Sequence, residues 1–174
     1  LAEEAFARCM DAGWLIDGVV SQSEAQAKSL WQLREGISES LASYTPYKND
    51  LSVRVSEVPG FLADVDRYVS DSYPEFEVCW YGHIGDGNLH LNILRPEDMT
   101  VEEFFKHGHG MSPKIFEIVA ARRGSISAEH GVGLLKRDFL GYTRSDDEIA
   151  LMHGLKALFD PHQILNPNKL LATP

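Results

Sequence analysis

Two histidines straddle a glycine-rich turn in Gly82-His83-Ile84-Gly85-Asp86-Gly87-Asn88-Leu89-His90, and no other stretch constrains the fold as tightly. Asp86-Gly87 predicts a two-residue hairpin, because both central positions of a type I′ turn need positive φ. In that register Gly85 faces Asn88, Ile84 faces Leu89, and His83 lies directly across from His90. Opposed residues share a sheet face with Cβ atoms about 4.5–5.5 Å apart, a separation from which two imidazoles reach one metal ion. Ile84, Leu89, Leu91 and Ile93 then fall on the other face. The spacing reads as half a metal site.

The rest of the chain supplies helices around this hairpin. Leu1 to Ala12 reads as a helix stopped by Gly13, and the short apolar run Trp14 to Val20 as a strand. Ser21 or Ser23 caps a longer helix to about Ser43, with Ala27, Leu30, Trp31, Ile37 and Leu41 at helical spacing. Tyr44 to Asp50 is a turn-rich connector in which Pro46 forbids helix continuation. Leu51 to Val55 alternates as a half-buried strand, and a helix with Pro59 in its first turn runs to about Ser72. Phe76 to Gly82 and Leu89 to Arg95 form the hairpin arms. Asp98 or Thr100 opens a helix to about Arg123, interrupted at His107-Gly108-His109-Gly110. A brief helix is expected at Leu134 to Leu140, and Ser145 caps another through Phe159. This order predicts an α+β domain: an antiparallel sheet of ferredoxin-like type, helices on one face, and the other face left to hold a site. The domain spans residues 1–159, and 160–174 form an extended arm.

At 174 residues the chain is of single-domain size, enough to bury roughly 70% of its unfolded surface. A net charge of −10, with no long Lys/Arg run, argues against general nucleic-acid binding. Cys9 and Cys79 are too few for a disulfide framework and read as free thiols. No apolar run approaches membrane-spanning length, and no signal peptide is seen, although the chain opens at Leu1 without an initiator Met.

Two histidines do not by themselves hold a catalytic metal; a third protein ligand and an open position are usual. Asn92 shares the face of His90 but is a poor ligand for a transition metal. Glu129 is better placed, in a short Gly- and Ser-rich stretch between Gly124 and Gly131, with His130 beside it. Two His and one carboxylate suit zinc, and also iron(II) or manganese. Asp86 is explained by its turn position. His107 and His109 read as marking a surface loop, His153 as solvated, and His162 as part of the tail. Gly131 and Gly133 lack the strand–turn–helix setting of a dinucleotide fingerprint.

Taken in order, Gly82–His90, Ser127-Ala128-Glu129-His130-Gly131-Val132-Gly133, and Phe159-Asp160-Pro161 through Leu165-Asn166-Pro167-Asn168-Lys169 resemble the C-terminal domain of FAD-linked oxidases. Trp31 through Glu39 and Lys48 through Ser52 extend the match, so the likeness runs from about Asp17 to the C-terminus. That family includes D-2-hydroxyglutarate and D-lactate dehydrogenases and the glycolate oxidase FAD subunit, and the first of these branches is the most similar. The resemblance implies His83, His90 and Glu129 as ligands of a divalent metal, usually zinc, and His130 as general base. It implies Arg34 and Lys48 as carboxylate-binding residues, with Ser38 and Asn92 as neighbouring polar contacts. The arm with Asn168 is similar to the segment that returns to the flavin.

The resemblance further implies an FAD-dependent dehydrogenase acting on a 2-hydroxy acid, with this chain as its substrate and metal half. The implied partners are an N-terminal FAD-binding domain and an electron acceptor, either a quinone or an electron-transfer flavoprotein. A homodimer is compatible with the family. The expected location is cytoplasmic or peripheral to a membrane, and mitochondrial in a eukaryote. Two other readings of the residues stay open: a non-catalytic binding domain with a structural zinc, and a metal-dependent hydrolase.

Overall fold

The computed structural model describes residues 1–172. The chain divides into two compact units, Leu1–Ser43 and the remainder from Tyr44 onward. In the first, helix α1 (Ala2–Asp11) ends before Gly13, whose φ of +71° turns the chain away. Helix α2 (Glu24–Glu35) starts at Ser23, whose hydroxyl accepts the Gln26 N–H, and Gly36 separates it from α3 (Ile37–Ala42). The strand expected at Trp14 to Val20 is not formed. Those residues carry strand-like composition but no partner, and Trp14 and Ile16 are largely exposed. The long helix expected through Ser43 is two helices, parted at Gly36, whose ψ of −1° departs from the helical value.

The second unit is built on a three-stranded antiparallel sheet of β1 (Tyr47–Ser52), β2 (Glu77–His83) and β3 (Asn88–Leu94), in the order β1-β3-β2. The α+β expectation therefore holds. Strand β1 begins inside the expected connector, directly after Pro46, which at a strand start forfeits no ladder bond. Helices α4 (Val58–Ser72) and α5 (Val101–Ala121) supply the rest of the core. Leu51, Leu89, Leu91 and Ile93 meet Phe61, Val65 and Val69 of α4, and Phe104, Met111, Ile115, Phe116 and Val119 of α5. Helix α5 opens with a reciprocal cap between Thr100 and Glu103 and runs unbroken through His107 to Gly110. Gly108 is there for packing: a Cβ would lie 2.5 Å from the Tyr47 ring. Helix α6 (Asp146–Phe159) starts with the same kind of cap from Ser145 and Glu148.

The arm after α6 is tied down rather than trailing. Buried Asp160 accepts the Ile164 and Leu165 N–H groups at 3.0 Å each and also the Lys156 ammonium, which in turn reaches the Leu165 carbonyl at 2.6 Å. The Leu170 N–H then donates to the Gly133 carbonyl at 2.8 Å. The last two residues of the expected arm lie outside the described residues.

Candidate metal and substrate site

The hairpin register differs from the expected one by two residues. His83 pairs with Asn88 and Tyr81 with His90, leaving Ile84 to Gly87 as a four-residue connection. Asp86 keeps a negative φ and spends its carboxylate on the Asn88 N–H at 3.0 Å. Gly87 alone takes positive φ, +74°, because the turn is pressed under β1's exit: a Cβ there would stand 1.9 Å from the Val53 carbonyl oxygen. A shift of two preserves the alternation of faces. His83 and His90 are thus diagonal neighbours, their ring centroids 5.8 Å apart.

The face opposite the core carries a polar set from all three strands. The pairings Lys48–Asn92, Asp50–His90 and Ser52–Asn88 bring β1 beside β3, and Cys79–Asn92, Tyr81–His90 and His83–Asn88 add β2. Tyr81 stacks obliquely on His90 at 4.9 Å. Asn92 is buried and its amide donates to the His90 carbonyl at 3.2 Å, while its Oδ1 has no protein partner. The Cys79 thiol is pushed upward in pKa by burial and then by Glu77, which lowers its thiolate share.

The second half of the site arrives from the loop after α5. Gly124 and Ser125 pair back onto β1: Ser52 and Ser125 exchange two backbone hydrogen bonds, of 3.0 and 2.8 Å. A Cβ at Gly124 would lie 2.3 Å from the Ser52 oxygen, so the approach needs glycine. The next turn wraps around Asp50, whose Oδ2 accepts the N–H groups of Ala128, Glu129 and His130 at 2.9, 2.9 and 3.0 Å. This places Glu129 Oε1 3.5 Å from His90 Nε2 and 3.4 Å from His130 Nε2. One ligand atom each from Asp50, His90, Glu129 and His130 lies within 4.8 Å of all the others.

Burial acts to raise the Asp50 pKa. The N–H groups of His130 and Glu129, with the electrostatic influence of the His130 ring and the Lys136 ammonium, outweigh it and hold the carboxyl below its ordinary range. Lys136 enters from beneath, donating to the Asp50 carbonyl at 2.9 Å and to the Ile126 carbonyl, with its ammonium 5.8 Å from the Phe116 ring centre. Burial lowers its pKa to about 8, against the opposing pull of Asp50.

The structure brings together His90, Glu129 and His130, with His83, Lys48 and Asn92 on the same sheet surface. Arg34 lies in the last turn of α2, its guanidinium 5.7 Å over the Trp31 ring, and Ser38 lies in α3; both belong to the Leu1–Ser43 unit. Asn168 stands in the arm at φ +62°, its carbonyl accepting from Arg137 at 3.3 Å. Asp50 and Lys136 are the site residues that sequence reasoning passed over. The alternation of Lys48 and Asp50 along one strand was the available signal, hidden by the reading of that segment as a connector.

The family described as FAD linked oxidases, C-terminal domain, matches residues 1–170. The chain belongs to that family. It is 54% identical over 167 residues to the D-2-hydroxyglutarate dehydrogenase of Stutzerimonas stutzeri, covering 96% of this chain and 36% of that protein. It is 42% identical over 167 residues to the mitochondrial D-2-hydroxyglutarate dehydrogenase of Bos taurus (94% and 29%). A putative mitochondrial D-lactate dehydrogenase of Schizosaccharomyces pombe is 42% identical over 164 residues (88% and 30%). The chain thus spans about a third of the length of these curated relatives. Among the described residues no helix is long and apolar enough to cross a membrane.

Proposed function

We propose that this chain is the substrate- and metal-binding part of an FAD-dependent dehydrogenase that oxidises a D-2-hydroxy acid, D-2-hydroxyglutarate or D-lactate, to the 2-oxo acid. The observation that carries the reading is the meeting of His90, Glu129 and His130 on one sheet face that also presents Lys48 and Asn92. The donor set fits a divalent metal of zinc type: imidazole nitrogens and a carboxylate, with buried Asp50 Oδ1 unpartnered behind them. His83, His90 and Glu129 would hold the ion. When bound, the metal would supply Lewis-acid polarisation of the substrate hydroxyl, and FAD, held mainly by an N-terminal flavin domain, the two-electron acceptor.

This chain's residues do the remaining work. The His130 imidazole, side chain exposed and oriented by Glu129 Oε1, takes the hydroxyl proton as C2 gives up its hydrogen with the electron pair. Lys48 provides a point charge, and Arg34 a bidentate fork, for substrate carboxylates. Ser38 and Asn92 give polar contacts, and Asn168 on the arm borders the flavin. Two cationic groups favour a dicarboxylate. The arm 160–174 returns to the flavin domain, a quinone or electron-transfer flavoprotein takes the electrons, and the protein pairs as a homodimer. The setting is the cytoplasm, with or without peripheral membrane contact, or the mitochondrion in a eukaryote.

Three measurements on the full-length protein test this: zinc content, turnover of D-2-hydroxy acids with an artificial electron acceptor, and the effect of His130→Ala. That substitution should lower kcat by about 10²–10⁴. Less than tenfold loss reassigns the base, and product formation without any acceptor makes the protein a hydrolase. A second reading, a closed structural zinc, draws on the four ligand atoms within 4.8 Å. A metal without an exchangeable water would favour it.

A further inference from the structure

We propose that Asp50 is the positioning residue of this site, one carboxylate whose two oxygens align the two halves of the ligand set. The proposal rests on the metal reading above. Oδ2 is committed to the loop: it accepts three consecutive backbone N–H groups, Ala128 to His130, and the Ser127 hydroxyl lies 3.4 Å away. A carboxylate that receives several backbone N–H groups acts as the centre of a turn, so the Ala128–His130 turn is shaped around that one oxygen, while Lys136 and Ser125 hold the base of the loop. Residues 127–136 carry no helix or strand.

Oδ1 has a different task. It is buried, has no hydrogen-bond partner, and stands 3.7 Å from His90 Nδ1. Closure by about half an ångström or a little more would make an N–H···O⁻ bond to that nitrogen. Such a bond fixes the proton on Nδ1 and leaves Nε2, the nitrogen facing Glu129, with its lone pair free for a metal. Asp50 therefore decides which His90 nitrogen can ligate, while its other oxygen sets where Glu129 and His130 stand. The residue touches neither substrate nor flavin in this role.

Asp50→Asn separates the two tasks. The amide oxygen can still accept the loop N–H groups, while its NH₂ takes the place of Oδ1 and donates to Nδ1. His90 is then driven to the Nε2–H tautomer, which cannot ligate through Nε2. In the full-length protein stripped of metal, at a pH where imidazole is neutral, imidazole ¹⁵N shifts should report Nδ1–H for His90 in the wild type. They should report Nε2–H in Asp50→Asn. Amide exchange at Ala128 to His130 should stay protected in Asp50→Asn and accelerate at least tenfold in Asp50→Ala. Zinc affinity, read by chelator competition, should drop about 10–100-fold in Asp50→Asn.

A wild-type tautomer at Nε2–H, or one unchanged in Asp50→Asn, overturns the His90 limb. Unchanged protection in a folded Asp50→Ala protein overturns the loop limb. Both readouts are taken without metal, so a wild-type protein that binds no zinc refutes the proposed function and leaves the positioning claim to be decided by them. An unchanged tautomer together with lost zinc binding would make Asp50 a direct ligand and refute the proposal.

Discussion

Lys136→Met should leave stability at pH 7 within about 3 kcal/mol of the wild type and cost progressively more as pH rises. Lys136 holds two carbonyls, those of Asp50 and Ile126, and stitches β1 to the base of the Glu129 loop. Methionine fills the same channel but orphans both oxygens, at about 1–3 kcal/mol each. Against this stands the cost of burying the ammonium. A pKa brought from 10.5 down to about 8 corresponds to about 3 kcal/mol by which the fold disfavours the charged form. At pH 7 the relief from removing the charge offsets most of the loss. Between pH 8 and 10.5 the unfolded chain retains a proton that the folded chain has released, so wild-type stability gains with pH while the variant gains nothing from this source. Urea unfolding followed by tryptophan fluorescence at half-unit steps from pH 7 to 10 measures the gap, and other titrating groups cancel in the difference. A gap that widens by about 2–3 kcal/mol is expected. Parallel stability curves across that range would refute a buried, charged Lys136.

His83→Ala should weaken zinc binding at least tenfold in chelator competition if His83 is a ligand; an unchanged affinity transfers the site to Asp50, His90, Glu129 and His130. Gly87→Ala asks an alanine to adopt φ +74° with its Cβ 1.9 Å from the Val53 oxygen, and should cost at least about 2 kcal/mol in thermal unfolding; an unshifted melt would remove the close approach between turn and β1. Asp160→Ala should expose the segment after α6 to limited proteolysis while the sheet stays protected, and cleavage no faster than wild type would mean that the arm is held elsewhere. Acid should mimic that variant. Lys156's hydrogen bond, helped by the Leu165 and Ile164 N–H groups and opposed by burial, depresses the Asp160 pKa. Its hold is therefore present above the ordinary Asp value and lost as pH falls through the lower folded one.

The part of the site that a period of two controls was legible, and the part controlled by contact with distant backbone was not. Alternation from Asn88 to Ile93 separates His90 and Asn92 from Leu89, Leu91 and Ile93, and the strand keeps that separation. The expected pairing is two residues out, with the turn centre one residue late, because a type I′ turn at Asp86-Gly87 requires two positive φ values and Asp86 takes none. Parity survived the error, so both histidines stayed on one face. In α5 local pattern makes the glycines a break, yet Gly108 answers to the Tyr47 ring, a neighbour 61 positions earlier that no local pattern reveals. Asp50 is the extreme case: its partners are main-chain N–H groups 78 to 80 positions away, which carry no side-chain signature.

The two faces of the sheet divide the work of folding and of chemistry. On the α4 and α5 side Leu51, Leu91, Ile93, Phe61 and Ile115 are fully buried, and each contributes about 1.5–3 kcal/mol by leaving water. On the other side Asp50 Oδ1, Asn88 Oδ1 and Asn92 Oδ1 are buried with no protein partner, each costing about 1–3 kcal/mol if it stays so. A sheet selected for stability alone would cover that surface with apolar side chains or pair these atoms. Asp50 Oδ1 faces His90 Nδ1 at 3.7 Å, and the two asparagine oxygens leave hydrogen-bonding capacity for a proton-bearing or cationic occupant. Because the stabilising contacts lie on the opposite face, a substitution such as His83→Ala changes the site without opening a cavity in the core. That separation lets a loss of zinc binding there be read as a ligand lost rather than a fold lost.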